Sequence, residues 1–193
     1  MKNFWLCFVP LFVAVDILGV LPMFMGLTEG LERSKIRHII LQSVITATAV
    51  ALIFLAIGKA VLNLLGITIA DFMIAGGTLL FALSLRDIMT FEKRFRIEYS
   101  ETLGVVPLGV PMIVGPGVLV TTMLLIDEYG AIPTVSATVI NIIIAGFVFL
   151  LSEPINRLLG KSGTIAISKL ASLVLAAIGV MMVRKGIMTY TGS

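Results

Sequence analysis

Apolar residues in this chain run in blocks rather than alternating with polar ones. Six stretches carry very little charge, approximately Phe4–Met25, His38–Ile57, Ile69–Met89, Gly104–Ile126, Ile132–Leu151 and Ile167–Met188, and most Lys, Arg, Asp and Glu residues fall between them. Apolar runs of about twenty residues match a hydrocarbon layer about 30 Å thick. A helix lets each such segment satisfy its own backbone there. The pattern therefore predicts an all-α membrane protein of six transmembrane helices. The short connections leave no room for a soluble catalytic domain, so one transmembrane domain is expected over residues 1–193.

The first block begins like a secretory leader, with Lys2 ahead of apolar residues. It runs too long for one, contains Asp16 and has no small-x-small cleavage site before the next polar loop, so it is read as a span.

Short echoes divide the chain in two. Val9-Pro-Leu11 returns as Val106-Pro-Leu108, Leu64-Leu-Gly66 as Leu158-Leu-Gly160, and Thr68-Ile-Ala70 as Thr164-Ile-Ala166, at offsets of 97, 94 and 96. Three echoes in order at nearly one offset indicate two copies, residues 1–97 and 98–193. Each copy holds three spans, and an odd number makes the second enter the membrane from the opposite side. The expected architecture is two inverted three-helix repeats, a plan found in secondary transporters.

Composition agrees, with 59% hydrophobic and 13% charged residues. That bias belongs to a lipid solvent rather than to a soluble domain. The net charge of +3 matters less than where the charges fall. Ten basic residues, including Arg33, Arg86, Arg94, Arg157 and Lys169, fall in or beside the first, third and fifth connections, against Lys2, Lys59, Arg184 and Lys185 on the other side. Such asymmetry sets orientation and predicts a multi-pass membrane protein with both termini outside. These charges read as topology signals, not as a nucleic-acid surface. Cys7 is the only cysteine, which excludes an intramolecular disulfide and a paired-cysteine redox centre.

The first and fourth spans carry the irregular residues, and both are expected to break mid-membrane. Asp16 is the only ionisable residue deep in any span, a placement that costs roughly 2.5–3.5 kcal/mol on insertion scales. Two readings of it stand together. It binds an ammonium group, a cation or a proton, or it caps a second half-helix beginning near Ile17. With Gly19 and Pro22 following, irregular backbone is expected from Val15 to Pro22.

In the fourth span Pro111, Gly115, Pro116 and Gly117 should stop and restart the helix. The N–H groups restarting at Gly117–Val120 would face a bound anion, with Thr121 and Thr122 adding hydroxyls. Asp16 and Gly19 with Gly115, Pro116, Gly117 and Thr121 thus offer a negative group and a positive helix end, complementary to a small zwitterion. Gln42 and Asn141 hold similar places in the second and fifth spans, as helix glue or pore lining. Gly76 and Gly77 in the third span, and Ser172 in the sixth, suit either close packing or a pore wall.

Enzyme-like strings fail on context. Gly160-Lys161-Ser162-Gly163 lies in a charged connection, and a phosphate loop would require glycine where Ile155 stands. His38 is the only histidine, one intramembrane aspartate cannot form a carboxylate dyad, and no metal site or cofactor is expected. Asp71, Arg86 and Asp87 sit at span ends, where capping or snorkelling is the ordinary role.

Several of these segments together resemble the MarC family. They are Asp16-Ile-Leu-Gly19-Val-Leu-Pro22-Met-Phe24, Pro107-Leu108-Gly109-Val110-Pro111 with Gly115-Pro116-Gly117, the Gly76-Gly77 span, and Ala166-Ile-Ser168-Lys169-Leu170. The resemblance spans the whole chain and implies a six-helix inner-membrane protein. It also implies transport of small neutral amino acids such as glycine and alanine, since family members are regarded as such transporters. The family usually has proline where Ile17 stands and arginine where Lys169 stands. Without that proline, the first span has either a softer break or an Asp16 with a stronger ligand role.

The reading is a secondary transporter or exporter working by alternating access, with a proton or sodium ion as the coupling ion. Its partners would be a small neutral amino acid, the lipid bilayer and, as an open alternative, further copies of itself. A channel and a non-transporting structural or regulatory membrane protein remain the other classes.

Overall fold

The computed structural model describes residues 2–28, 30–89 and 113–191. Seven helices account for nearly all of them: α1 (Lys2–Val15), α2 (Ile17–Thr28), α3 (Arg33–Leu65), α4 (Ile69–Met89), α5 (Pro116–Tyr129), α6 (Ala131–Leu150) and α7 (Ser152–Thr191). There is no strand among the described residues.

Among the described residues, five segments are long and apolar enough to cross a membrane: Lys2–Leu21, Arg33–Leu65, Ile69–Met89, Ala131–Leu150 and Ile165–Tyr190. The expectation of six is met only in part. The fourth predicted span is represented by α5, whose 14 residues reach about 21 Å, too short to cross alone. Residues 104–112 of that span, Pro111 included, lie outside the described residues.

The second span is longer than its apolar core suggested. α3 runs for 33 residues, extending past its predicted apolar core at both ends. There Arg33 pairs with Glu153 at 2.9 Å and Lys59 with Asp127 at 2.6 Å. These pairs are exposed and each contributes little energy, but they tie both ends of α3 to the other half of the chain.

One of the sequence echoes places a positive-φ glycine in each copy. Gly66 ends α3 at φ 70°, its N–H donating to Asn63 O, while the Ile67 N–H donates to Leu62 O at 2.9 Å. This pair of bonds is the motif by which a left-handed glycine closes a helix. Gly160 also has positive φ, 65°, but its ψ of 173° is extended rather than left-handed helical, and it kinks α7. The charged connection expected around Gly160-Lys161-Ser162-Gly163 is otherwise helical, as part of α7. At the third echo Thr68 and Asp71 cap each other's N–H groups at the start of α4, at 2.8 and 3.1 Å.

The helices pack chiefly across the two halves. α4 lies on α7, α1 on α6 and α5, α3 on α6, and α2 on α7. Side chains from both halves fill the core, and the stacked rings of Phe24 and Phe149, 4.5 Å apart, join α2 to α6. The α4–α7 crossing is the closest. A Cβ added to Gly77 would lie 2.6 Å from Gly179 O, and one added to Gly179 would lie 2.7 Å from Gly77 O. The two backbones touch, as small residues allow where lipid offers no hydrophobic drive to association. At the far end of this pair Lys169 Nζ donates to Asp87 O and Ile88 O, satisfying carbonyls at the α4 C-terminus from the opposite helix.

Candidate functional site

Asp16 is the one described non-glycine residue with positive φ, at 49°. Aspartate tolerates the left-handed region better than most residues, so a single position can stop one helix and start another without proline. The Asp16 N–H donates to Val13 O at 3.1 Å, closing α1, and Asp16 O accepts from the Val20 N–H at 3.0 Å, opening α2. The break is thus sharp rather than soft. It is also narrower than expected, because α2 continues from Ile17 to Thr28 and only Asp16 departs from helical form.

The side chain completes the junction. Asp16 Oδ1 accepts the Gly19 N–H at 3.2 Å, as a capping carboxylate does on the third residue of a helix. The other oxygen, Oδ2, has no hydrogen-bond partner among the described residues. Gly19 is the seat for this carboxylate, since a Cβ there would lie 2.2 Å from Oδ2. Gly19→Ala should therefore push Asp16 off its cap and cost about 0.5–2 kcal/mol, although alanine is the better helix former. A lowered melting temperature of the purified variant would show it; a raised one would remove the seat from the argument. Asp87, near the end of α4, lies within electrostatic reach of Asp16, and Arg86 and Lys169 in turn lie within reach of Asp87.

Residues 113–115 lead into α5, and the rest of the predicted fourth span before them lies outside the described residues. Gly115 is extended, with φ −81° and ψ 177°, and Pro116 opens α5 at a position where its missing N–H costs nothing. The helix begins one residue earlier than the restart expected at Gly117. No side chain caps it, and Leu119 N–H is the first to bond back, to Gly115 O at 3.2 Å. Gly117 is packed against Leu80, which a Cβ would approach to 2.8 Å. Thr121 is half-buried, whereas Thr122 is buried and spends its hydroxyl on Leu119 O. Val15 and Ile17, flanking Asp16, share one buried cluster with Val114 and Val118, flanking Gly115–Gly117. Asp16 and the start of α5 therefore border one core.

The remaining candidates separate. Asn141 is fully buried and donates to Ala137 O at 2.9 Å and, across to α1, to Phe8 O at 3.2 Å. Its amide nitrogen acts as helix glue, yet its Oδ1 has no partner, and neither has Gln42 Oε1. Gly76, Gly77 and Ser172 are buried, Gly77 within the α4–α7 crossing.

The sequence reading passed over two features. Thr134, Thr138 and Asn141 form a polar stripe on α6 at helical spacing, and Cys7 Sγ lies 3.7 Å from Thr134 Oγ1. The spacing was legible, but each threonine bonds back to its own helix. Lys169 as a cap for α4 required knowledge of the fold. No group of three metal-ligating residues occurs among the described residues.

Long apolar helices, a helix broken at a carboxylate and a core shared by both halves define a polytopic helical membrane protein. The chain matches the MarC family of integral membrane proteins over residues 1–191, and it belongs to that family. It is 32% identical to a UPF0056 membrane protein of Methanocaldococcus jannaschii over 96% of this chain and 87% of that one. A relative in Pyrococcus abyssi is 32% identical over 97% and 95%. The Escherichia coli protein YhgN, named an inner membrane protein, is 31% identical over 92% of each chain. No solved structure matches.

Proposed function

We propose that this protein is a secondary transporter or exporter of small neutral amino acids of the glycine and alanine type, acting in the cytoplasmic membrane. The observation that carries this reading is the Asp16 carboxylate at a helix break, with one oxygen spent on its own helix and the other unspent. An ammonium group would bind Oδ2 as a charge-assisted donor. The uncapped N-terminus of α5 would take the carboxylate of the same molecule through its first N–H groups.

Alternating access between two inverted halves draws support from the positive-φ glycines that follow the Leu-Leu echo in each half, Gly66 and Gly160, and from the packing of each half on the other. A proton or sodium ion would couple through Asp16. The charge asymmetry of the connections supports termini on the outer side.

Melting of the purified protein against each of the twenty amino acids tests the substrate class, because a ligand selective for the native state stabilises it by about 2.7 kcal/mol at 100 times its dissociation constant. Glycine and alanine should raise the melting temperature, and leucine and phenylalanine should not. No response to any amino acid, together with no glycine or alanine counterflow in proteoliposomes, would end the proposal.

A further inference from the structure

An open groove of about 440 Å³ runs between α4 and α7, remote from Asp16 and the start of α5 in its lining residues. Thr78 and Phe81 of α4 face Val180, Val183, Arg184 and Ile187 of α7 across it. The close crossing at Gly77 and Gly179 forms it, bringing the two backbones together while the larger side chains on either side stand apart. Its walls are open to the surroundings, with Val180 53% and Ile187 50% exposed. Both elements are membrane-crossing segments, so the medium outside the groove is lipid over most of its length.

The polar groups of the groove are two, and one is satisfied. Thr78 donates its hydroxyl to Ile74 O at 2.7 Å. Arg184 makes no hydrogen bond and no ion pair among the described residues. Its guanidinium presents five donors and a permanent charge, a combination suited to bidentate recognition of phosphate. Residues 165–190 contain no Asp or Glu that could neutralise it, and Lys185 adds a second positive charge. Arg184 lies six residues before Tyr190, about 9 Å along the helix, and an interfacial tyrosine is a common marker of headgroup level. From there the arginine reaches toward the headgroup layer while its stem stays against apolar surface.

We propose that this groove binds one anionic phospholipid, with an acyl chain along Phe81, Val180 and Ile187 and the phosphate on the Arg184 guanidinium. Basic pockets between transmembrane helices take anionic headgroups in this way. A free phosphate would leave the apolar walls unused. A second copy of the chain docked by a two-fold axis through the groove would bring two unpaired guanidinium groups toward each other.

The test uses the full-length protein in detergent, with phosphatidylglycerol and phosphatidylcholine of identical acyl chains as probes and lipid retention read by native mass spectrometry. Phosphatidylglycerol should raise the melting temperature saturably and more than phosphatidylcholine. Arg184→Gln should weaken its binding by about tenfold or more, as expected for loss of a charge-assisted contact, while Lys185→Gln, outside the groove, leaves it in place. Val180→Trp, which fills the groove and keeps Arg184, should reduce retention of phosphatidylglycerol, and it decides the matter should Arg184→Gln not fold.

Unchanged phosphatidylglycerol binding in Arg184→Gln or in Val180→Trp would overturn the proposal. So would equal stabilisation by phosphatidylcholine or by inorganic phosphate. Efficient lipid-independent cross-linking of Ile187→Cys between two copies would assign the groove to a protein partner instead.

Discussion

Asp16→Asn should abolish most glycine or alanine flux in proteoliposomes and leave the protein folded. Asparagine is as good a helix cap as aspartate and tolerates the left-handed region, so φ 49° at residue 16 and the bond from the Gly19 N–H can both persist. What disappears is the charge. A hydrogen bond to a charged group contributes about 1.5–3 kcal/mol, which corresponds to roughly ten- to hundredfold in affinity for an ammonium ligand. Asp16→Ala should behave differently, losing the cap at about 0.5–2 kcal/mol together with the short polar side chain that makes the left-handed region tolerable at this position. Melting temperature and flux measured on both variants separate the two jobs of this carboxylate. Native flux from a folded Asp16→Asn protein would leave Asp16 as a helix cap alone.

The second large effect is expected at the α4–α7 crossing. Gly77→Leu places a side chain where the nearest atom is a backbone oxygen, Gly179 O at 2.6 Å from the Cβ position, with Met182 Cβ at 2.9 Å behind it. A flexible neighbour could rotate away, but a carbonyl fixed in a helix cannot. Overpacking in a well-packed core typically costs about 1–3 kcal/mol, and a backbone obstacle should place this variant at or above the top of that range. Leu79→Ala on the same helix, at a side chain 47% exposed, serves as the comparison and should change little. Detergent-solubilised Gly77→Leu should melt well below native and elute partly as aggregate. A variant melting within a degree or two of native would mean the two helices are not in backbone contact.

Much of this was legible in the residues, and the limits have physical causes. Long apolar blocks reveal spans because lipid imposes a length, but they do not reveal how far a helix continues beyond them. α3 overran its apolar core at both ends for that reason. The break in the first span was visible because a carboxylate inside an apolar run needs a partner. Its sharpness was not, since nothing in the letters of Asp16-Ile17 shows that one left-handed residue and one Gly19 N–H suffice. The Leu-Leu-Gly echoes both became positive-φ glycines, but Gly66 closes α3 in the left-handed helical region while Gly160 only kinks α7, so the shared letters do not fix a shared end. Packing partners were the least legible. Gly77 was open to a pore-wall reading until Gly179 appeared against it, and Lys169 was a departure from the family's usual arginine before it became a cap on α4.

The packing of each half on the other bears on how the chain is made. Among the described residues no principal helix contact joins two members of the first half; α1, α2, α3 and α4 all find their main partners downstream. At about 5–20 residues per second, those helices enter the bilayer roughly 5–20 s before the segments they pack against have been synthesised. During that interval the Gly77 surface and the Asp16 carboxylate face lipid or the insertion machinery rather than their final neighbours. Biogenesis therefore places the helices of the first half in the membrane before their main partners have been made.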